Sequence, residues 1–224
     1  MQESDDPAPR RRRADARRNV DALLEAARTV FDTSGVDAPA KEITDRAGVG
    51  VGTLYRHFPQ RSDLVKAVVE SGIDAVAEVG PALGAEFEPA EALTRWIDRF
   101  TELLGTKRGL ASALHSGDPA FAGLPDYFLQ RLGPALSALL DAAVAAGAVR
   151  GDVDAEDLLY AVAQLCQPVP GRGPEHARRI VGVLVDGLRC GAGQGRPHYP
   201  AALHPCGGYG PRGGLRPGGH RRRL

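Results

Sequence analysis

Between Ala47 and Phe58 the chain reads AGVGVGTLYRHF. Gly48, Gly50 and Gly52 come first; Tyr55, Arg56, His57 and Phe58 follow at once. Small residues let a backbone approach another molecule closely, and the free amide N–H groups at a helix start can face phosphate. Thr53 offers a hydroxyl and a methyl to base edges. Tyr55 and His57 can reach phosphate oxygens, and Arg56 adds positive charge. Leu54 and Phe58, at i and i+4, share the opposite face and point back toward a core. These residue types in this order suit recognition of a polyanion. Bond-making chemistry has no comparable signal: the sequence lacks paired cysteine ligands, an H-E-x-x-H pair and a P-loop. A G-x-S-x-G elbow is also absent, no residue stands out as catalytic, and no metal or cofactor is expected.

Such a segment has to be held by helices. Val20, Leu23, Leu24, Ala27, Val30 and Phe31 follow the i, i+3, i+4, i+7 spacing of an amphipathic helix from about Asp15 to Ser34, stopped by Gly35. KEITDRAG is a short helix that turns Ile43 inward and ends at Gly48. VGTLYRH is the next, and PQRSDL restarts the chain with Gln60 or Ser62 as cap. Two short helices joined by a glycine turn and buttressed by a longer one match a helix-turn-helix, with the motif over 39–58. Leu64, Val65, Val68 and Val69 then line a fourth helix, which Gly80-Pro81 is expected to end or kink.

At this point the chain resembles the DNA-binding domain of the TetR family of bacterial transcriptional regulators, from about Arg17 to Val76. The segment AGV-x-x-G-x-LY-x-HF carries the resemblance. It implies a DNA-facing set of Lys41, Thr44, Gly50, Val51, Gly52, Thr53, Tyr55, Arg56, His57 and Arg61. Arg61 takes the position usually held by a phosphate-binding lysine at the start of helix 4. Two positions depart from the family pattern: Thr44 stands where alanine is usual, and Gly50 replaces a Ser/Thr cap, at a cost of a few tenths of a kcal/mol. The later TKRGLASAL, with the motif above, resembles an actinobacterial subgroup with an SbtR-like C-terminal domain covering most of 80–190.

The remainder also reads as helix. PAEALTRWIDRFTELLGTK carries Leu93, Trp96, Ile97, Phe100, Leu103 and Leu104 on one stripe. LASALHSGDPAFAGLPDYF is a short helix and a loop, and LQRLGPALSALLDAAVAAGAV is a long helix despite Gly133-Pro134. DAEDLLYAVAQLC starts with an Asp154 cap, and EHARRIVGVLVDGLR repeats the pattern with Ile180, Leu184 and Leu188. With no useful run of period-two alternation, the expected fold is all-α, about nine helices, with an N-terminal three-helix helix-turn-helix domain and a larger helical domain. The expected divisions are a disordered basic leader over 1–16, the DNA-binding domain over 17–76, an effector-binding and dimerisation domain over 77–190, and a Gly/Pro/Arg-rich tail over 191–224. The resemblance implies that the second domain takes an unknown small effector and pairs as a homodimer through helices at about 154–168 and 174–190. Trp96, Phe100, Leu104, Phe121, Tyr127 and Phe128 could line its pocket, with His115 orienting a polar group.

Charge agrees with this division. Net charge is zero overall, yet 10–70 holds 12 basic and 9 acidic residues, and 71–190 holds 10 and 16. A basic front on an acidic body suits a front that meets DNA. The tail holds ten glycines, five prolines and six arginines in 34 residues, a composition that cannot build a core and that suggests an out-of-frame end. Three scattered cysteines make no disulfide framework, the first residues show no apolar signal region, and no apolar run spans a bilayer, so a cytoplasmic protein without membrane contact is expected. Two rival functions keep the DNA-binding front: an architectural protein without effector, which would have a fully packed second domain, and a redox sensor using Cys166 and Cys190.

Overall fold

The computed structural model describes residues 7–106 and 117–190. Among them are eight α-helices and no strand: α1 (Pro7–Ser34), α2 (Ala40–Ala47), α3 (Val51–His57), α4 (Arg61–Glu86), α5 (Pro89–Thr106), α6 (Leu124–Ala145), α7 (Ala155–Leu165) and α8 (Pro174–Arg189), with a 3₁₀ turn at Pro119–Phe121. The all-α expectation holds. The short helix expected around LASALHSG and the tail over 191–224 lie outside the described residues.

Helix α1 begins earlier than its apolar stripe. Its backbone is helical from Pro7, so the Arg10–Arg13 run sits on a helix and not in the expected leader. Leu23, Ala27, Val30 and Phe31 are buried along one face. The Gly35 N–H donates to Phe31 O, and Gly35 takes φ +78°, a left-handed stop open to glycine. Helix α2 ends the same way at Gly48, φ 69°, where the N–H groups of Gly48 and Val49 close on the Asp45 and Thr44 carbonyls. Asp154 caps α7 as expected, accepting from the Glu156 and Asp157 N–H groups.

Helix α4 differs from expectation. It runs unbroken through Pro81 and therefore across the boundary expected at 76/77. Pro81 has no N–H to give the Ala77 carbonyl, and such a proline weakens a helix by about 3 kcal/mol in isolation. Packing offsets this. Gly80 is buried against Trp96 and Ala135, and the Trp96 indole Nε1–H donates to the Val76 carbonyl at 2.9 Å, one residue from the unpaired one. Helix α6 likewise contains Pro134 and buries Leu132, Leu136, Leu139 and Leu140. At the open side of this pair Asp74 accepts from Tyr127 Oη at 2.8 Å and from Arg131 Nε at 2.5 Å.

The C-terminal pair closes the body. Leu158, Leu159 and Val162 of α7 and Ala177, Val181, Val185 and Leu188 of α8 are buried. The expected α8 stripe of Ile180, Leu184 and Leu188 is thus rotated: Ile180 and Leu184 are only half-buried. Leu184 still packs against the edge of the core, while Val183 beside it is 72% exposed.

Candidate nucleic-acid interface

Helix α3 has two sides because Leu54 and Phe58, four positions apart, share one face. Leu54 and Phe58 are buried at 3% and 8% exposure, anchoring the helix. Val51 and Tyr55 are exposed, at 40% and 53%, and Gly50, Gly52, Arg56 and His57 are exposed beside them. Thr53 is half-buried at the edge. Gly50 is the N-cap and has no side chain to close the first turn; its carbonyl accepts the Thr53 N–H at 2.8 Å, and no capping side chain reaches the Val51 and Gly52 N–H groups. A Cβ on Gly50 or Gly52 would meet nothing within 4 Å, so the chain's own packing does not demand glycine at either position.

Helix α2 contributes less than expected. Lys41 is exposed and ion-paired to Asp45 at 2.6 Å. Thr44, expected to face DNA, is 1% exposed with its hydroxyl donating to Lys41 O at 3.1 Å. Its side chain is buried with Ile43 on the inner face of α2.

Arg61 also departs from expectation. Its Nε donates to Val36 O at 2.7 Å, and one terminal nitrogen reaches both Val36 O and Ala38 O, the latter at 2.7 Å. The guanidinium lies 4.9 Å from the Phe31 ring centroid. Desolvation pulls its pKa down, against the attraction of Asp37 and Tyr55. The fork therefore satisfies the carbonyls of the α1–α2 loop. A lysine with one compact ammonium could not bridge two carbonyls and stack on a ring in the same way. The start of α4 is fixed by Gln60 and Asp63, whose carboxylate accepts the Gln60 N–H at 2.9 Å in a capping box.

The aromatic pocket residues are placed differently from expectation. Trp96 and Phe100 are 0% exposed, and Phe121 is 8% exposed. Phe100 packs on Trp96 and on Phe128, with ring centroids 5.8 and 5.6 Å apart. Leu104, Tyr127 and Phe128 are half-buried against the same core. His115 lies outside the described residues. Trp96 and Phe100 are core because α5 is enclosed by α4, α6, α7 and α8.

A cavity of about 1050 Å³ lies elsewhere, between α1 and α4 on one side and α5 and the start of α8 on the other. None of the expected aromatic residues lines it. Its α1 wall carries Asp21, Leu24, Glu25, Arg28 and Asp32, an i, i+3, i+4, i+7, i+11 face. That spacing was legible in the sequence, but its role as a wall depends on where α5 docks. Cys166 is buried and also lines the cavity, while Cys190 is exposed.

A left-handed glycine turn, an apolar anchor and a short exposed aromatic-basic helix define a helix-turn-helix of DNA-binding type. Comparison with known proteins narrows the class. Residues 23–68 match the N-terminal model of bacterial regulatory proteins of the TetR family, and residues 88–190 match the C-terminal domain of SbtR-like transcriptional regulators. A TetR transcriptional regulator from Streptomyces coelicolor is 37% identical, with a TM-score of 0.64, covering 76% of this chain and 98% of that one. A TetR regulatory protein from Mycobacterium vanbaalenii is 36% identical, with a TM-score of 0.61, covering 79% and 98%. An HTH-type transcriptional regulator of Staphylococcus aureus is 40% identical over 63 residues, 28% of this chain and 34% of that protein, so the chain spans about a third of that relative's length in the match. The chain belongs to the TetR family of transcriptional regulators.

Proposed function

We propose that the chain is a homodimeric repressor that binds an inverted-repeat operator with one α3 in each major groove and releases it on binding a small effector. The exposed face of α3 carries this proposal: Val51, Tyr55, Arg56 and His57 point outward while Leu54 and Phe58 hold the helix to the core. Thr53 reads base edges, Tyr55, Arg56 and His57 meet phosphates, and Lys41 adds charge from α2. Arg61 serves as a positioning residue. It ties the α1–α2 loop to the first turn of α4 and so sets the angle at which the motif meets DNA.

Two-fold operators require a two-fold protein. The α8 surface around Val183 and the half-buried Ile180, with Tyr160 of α7 46% exposed, is the surface proposed to pair with a second copy. The proposed division into a DNA-binding part over 17–76 and an effector part over 77–190 has α4 as its shared element. Among the described residues no helix is long and apolar enough to cross a membrane, which fits action on DNA in the cytoplasm.

Selection of bound sites from random DNA tests the proposal. Inverted repeats with half-sites about one helical turn apart are expected. Enrichment of single half-sites only would remove the dimer, and absence of any enrichment would remove sequence-specific binding. Val183→Glu should convert the dimer to a folded monomer in sedimentation. An unchanged dimer would place the interface elsewhere.

A further inference from the structure

The cavity between α1, α4, α5 and α8 has an apolar floor and a charged rim. Leu24, Val68, Val76, Leu103 and Ala177 supply the floor. Its volume of about 1050 Å³ is at the upper end of small-ligand sites, which run to roughly 1,000 Å³. The arginines of the rim are held by acids of the chain itself. Arg28 holds Glu25 at 2.6 Å, Arg99 holds Glu102 at 3.3 Å, and Arg178 holds Glu175 at 3.1 Å and reaches Glu102 at 3.9 Å. Asp21 and Asp32 stand 11 positions apart on α1, about 16 Å at 1.5 Å per residue, so they converge on no common point. Burial pushes the Asp32 carboxyl up, against the pull of Arg28, which disfavours charge there. Below the rim, Thr101 of α5 lines the cavity at 5% exposure, and its hydroxyl is buried without a hydrogen-bond partner among the described residues. A buried hydroxyl left unpaired is destabilising, and a ligand atom that pairs with it recovers that loss.

We propose that this cleft binds a neutral, largely apolar molecule with one hydrogen-bond-accepting oxygen, a medium-chain ketone or ester, its hydrocarbon body over Leu24, Val76 and Leu103 and its oxygen at the Thr101 hydroxyl. The rim selects against both kinds of ion. A carboxylate or phosphate needs an arginine, and all three are held by Glu25, Glu102 and Glu175. An ammonium needs acids that converge, and Asp21 and Asp32 do not. Either ion would lose water over an apolar floor without gaining a full counter-charge, a far larger cost than burying one neutral oxygen. That smaller cost is offset at Thr101. A helical threonine divides between two χ1 settings, so a turn about Cα–Cβ is enough to direct the hydroxyl at the ligand. The site rests on the effector response proposed above and gives that response a route. Its walls are α1 and α4, which carry and buttress the DNA-binding motif, and α5 and α8, which belong to the second part. A ligand filling the cleft fixes the angle between them.

Calorimetric titration of the full-length chain with 2-nonanone, nonanoate and nonylamine, each below its solubility or aggregation limit, tests this. Two temperatures are used, because burial of an apolar body changes the heat capacity even where the heat at one temperature is small. The ketone should bind more tightly than either ion. Thr101→Val keeps the shape and removes the hydroxyl, and should weaken the ketone roughly tenfold, the scale of one neutral hydrogen bond. Thr101→Ser keeps the hydroxyl and should lose less. Ala75, an exposed residue of the α4 wall, offers a second variant: Ala75→Phe should fill the cleft and abolish binding. Absence of ketone binding, equal binding of nonanoate or nonylamine, or a ketone bound by T101V and A75F as by the parent overturns the proposal. Operator affinity measured alongside separates the two ideas. Ketone binding that follows both variants without DNA release upholds the cleft and removes the effector response. A compound that releases DNA from the parent, T101V and A75F alike upholds the response and overturns the cleft.

Discussion

Helices α3 and α5 each carry aromatic side chains close together, and they expose them to opposite degrees. Tyr55 of α3 is 53% exposed, while Trp96 and Phe100 of α5 are 0% exposed. The difference lies in their neighbours. Helix α5 packs on α4, α6, α7 and α8, whereas α3 is held chiefly through α2 and two anchoring side chains. An aromatic ring enclosed on all sides stabilises the fold through buried area. The same kind of ring on a helix with one packed side is left for a partner. Aromatic residues therefore stand on the exposed surface of the first helix and in the core of the second. The cavity opens between α1 and α4 on one side and α5 and the start of α8 on the other.

The comparison is broken most directly at Trp96. Trp96→Ala should lower unfolding free energy by about 3–5 kcal/mol, read by circular dichroism in urea because the chain has one tryptophan. A loss no greater than the roughly 0.5 kcal/mol of surface substitutions would return Trp96 to the ligand side. Arg61→Met comes next. Losing charged hydrogen bonds to the Val36 and Ala38 carbonyls should cost about 1.5–3 kcal/mol of stability. Operator affinity should fall with it, with the salt dependence of binding unchanged. A salt slope shallower by about one unit would instead make Arg61 a phosphate contact. Thr53→Ala sharpens the α3 side: it should cost about 1–3 kcal/mol at the best site and leave non-specific binding alone. Equal loss on all sequences would move Thr53 to the backbone. Arg56→Ala should have the smallest effect, a uniform weakening with the slope shallower by about 0.9. No change in slope would leave Arg56 without a phosphate.

What could be read in advance follows from the range of the forces involved. The helices, the left-handed turn at Gly48, the Asp154 cap and the two faces of α3 depend on contacts within a few residues, and their periodicity and residue types are enough to determine them. The exposed set at Gly50, Val51, Gly52, Tyr55, Arg56 and His57 was therefore legible. Three matters depended on residues far apart in the chain, and only tertiary packing decided them. Helix α4 passes through Pro81 because Trp96, 15 positions on, gives its indole N–H to Val76 and closes over Gly80. Arg61 lies on the α1–α2 loop because Val36 and Ala38, 25 and 23 positions back, present carbonyls that accept its guanidinium N–H groups. The cavity forms because a charged face of α1 lies opposite α5 and α8. An apolar or aromatic side chain is drawn out of water wherever it can be covered. Its type therefore indicates burial and cannot distinguish a core from a pocket wall, which depends on whether the helix beyond it closes the space.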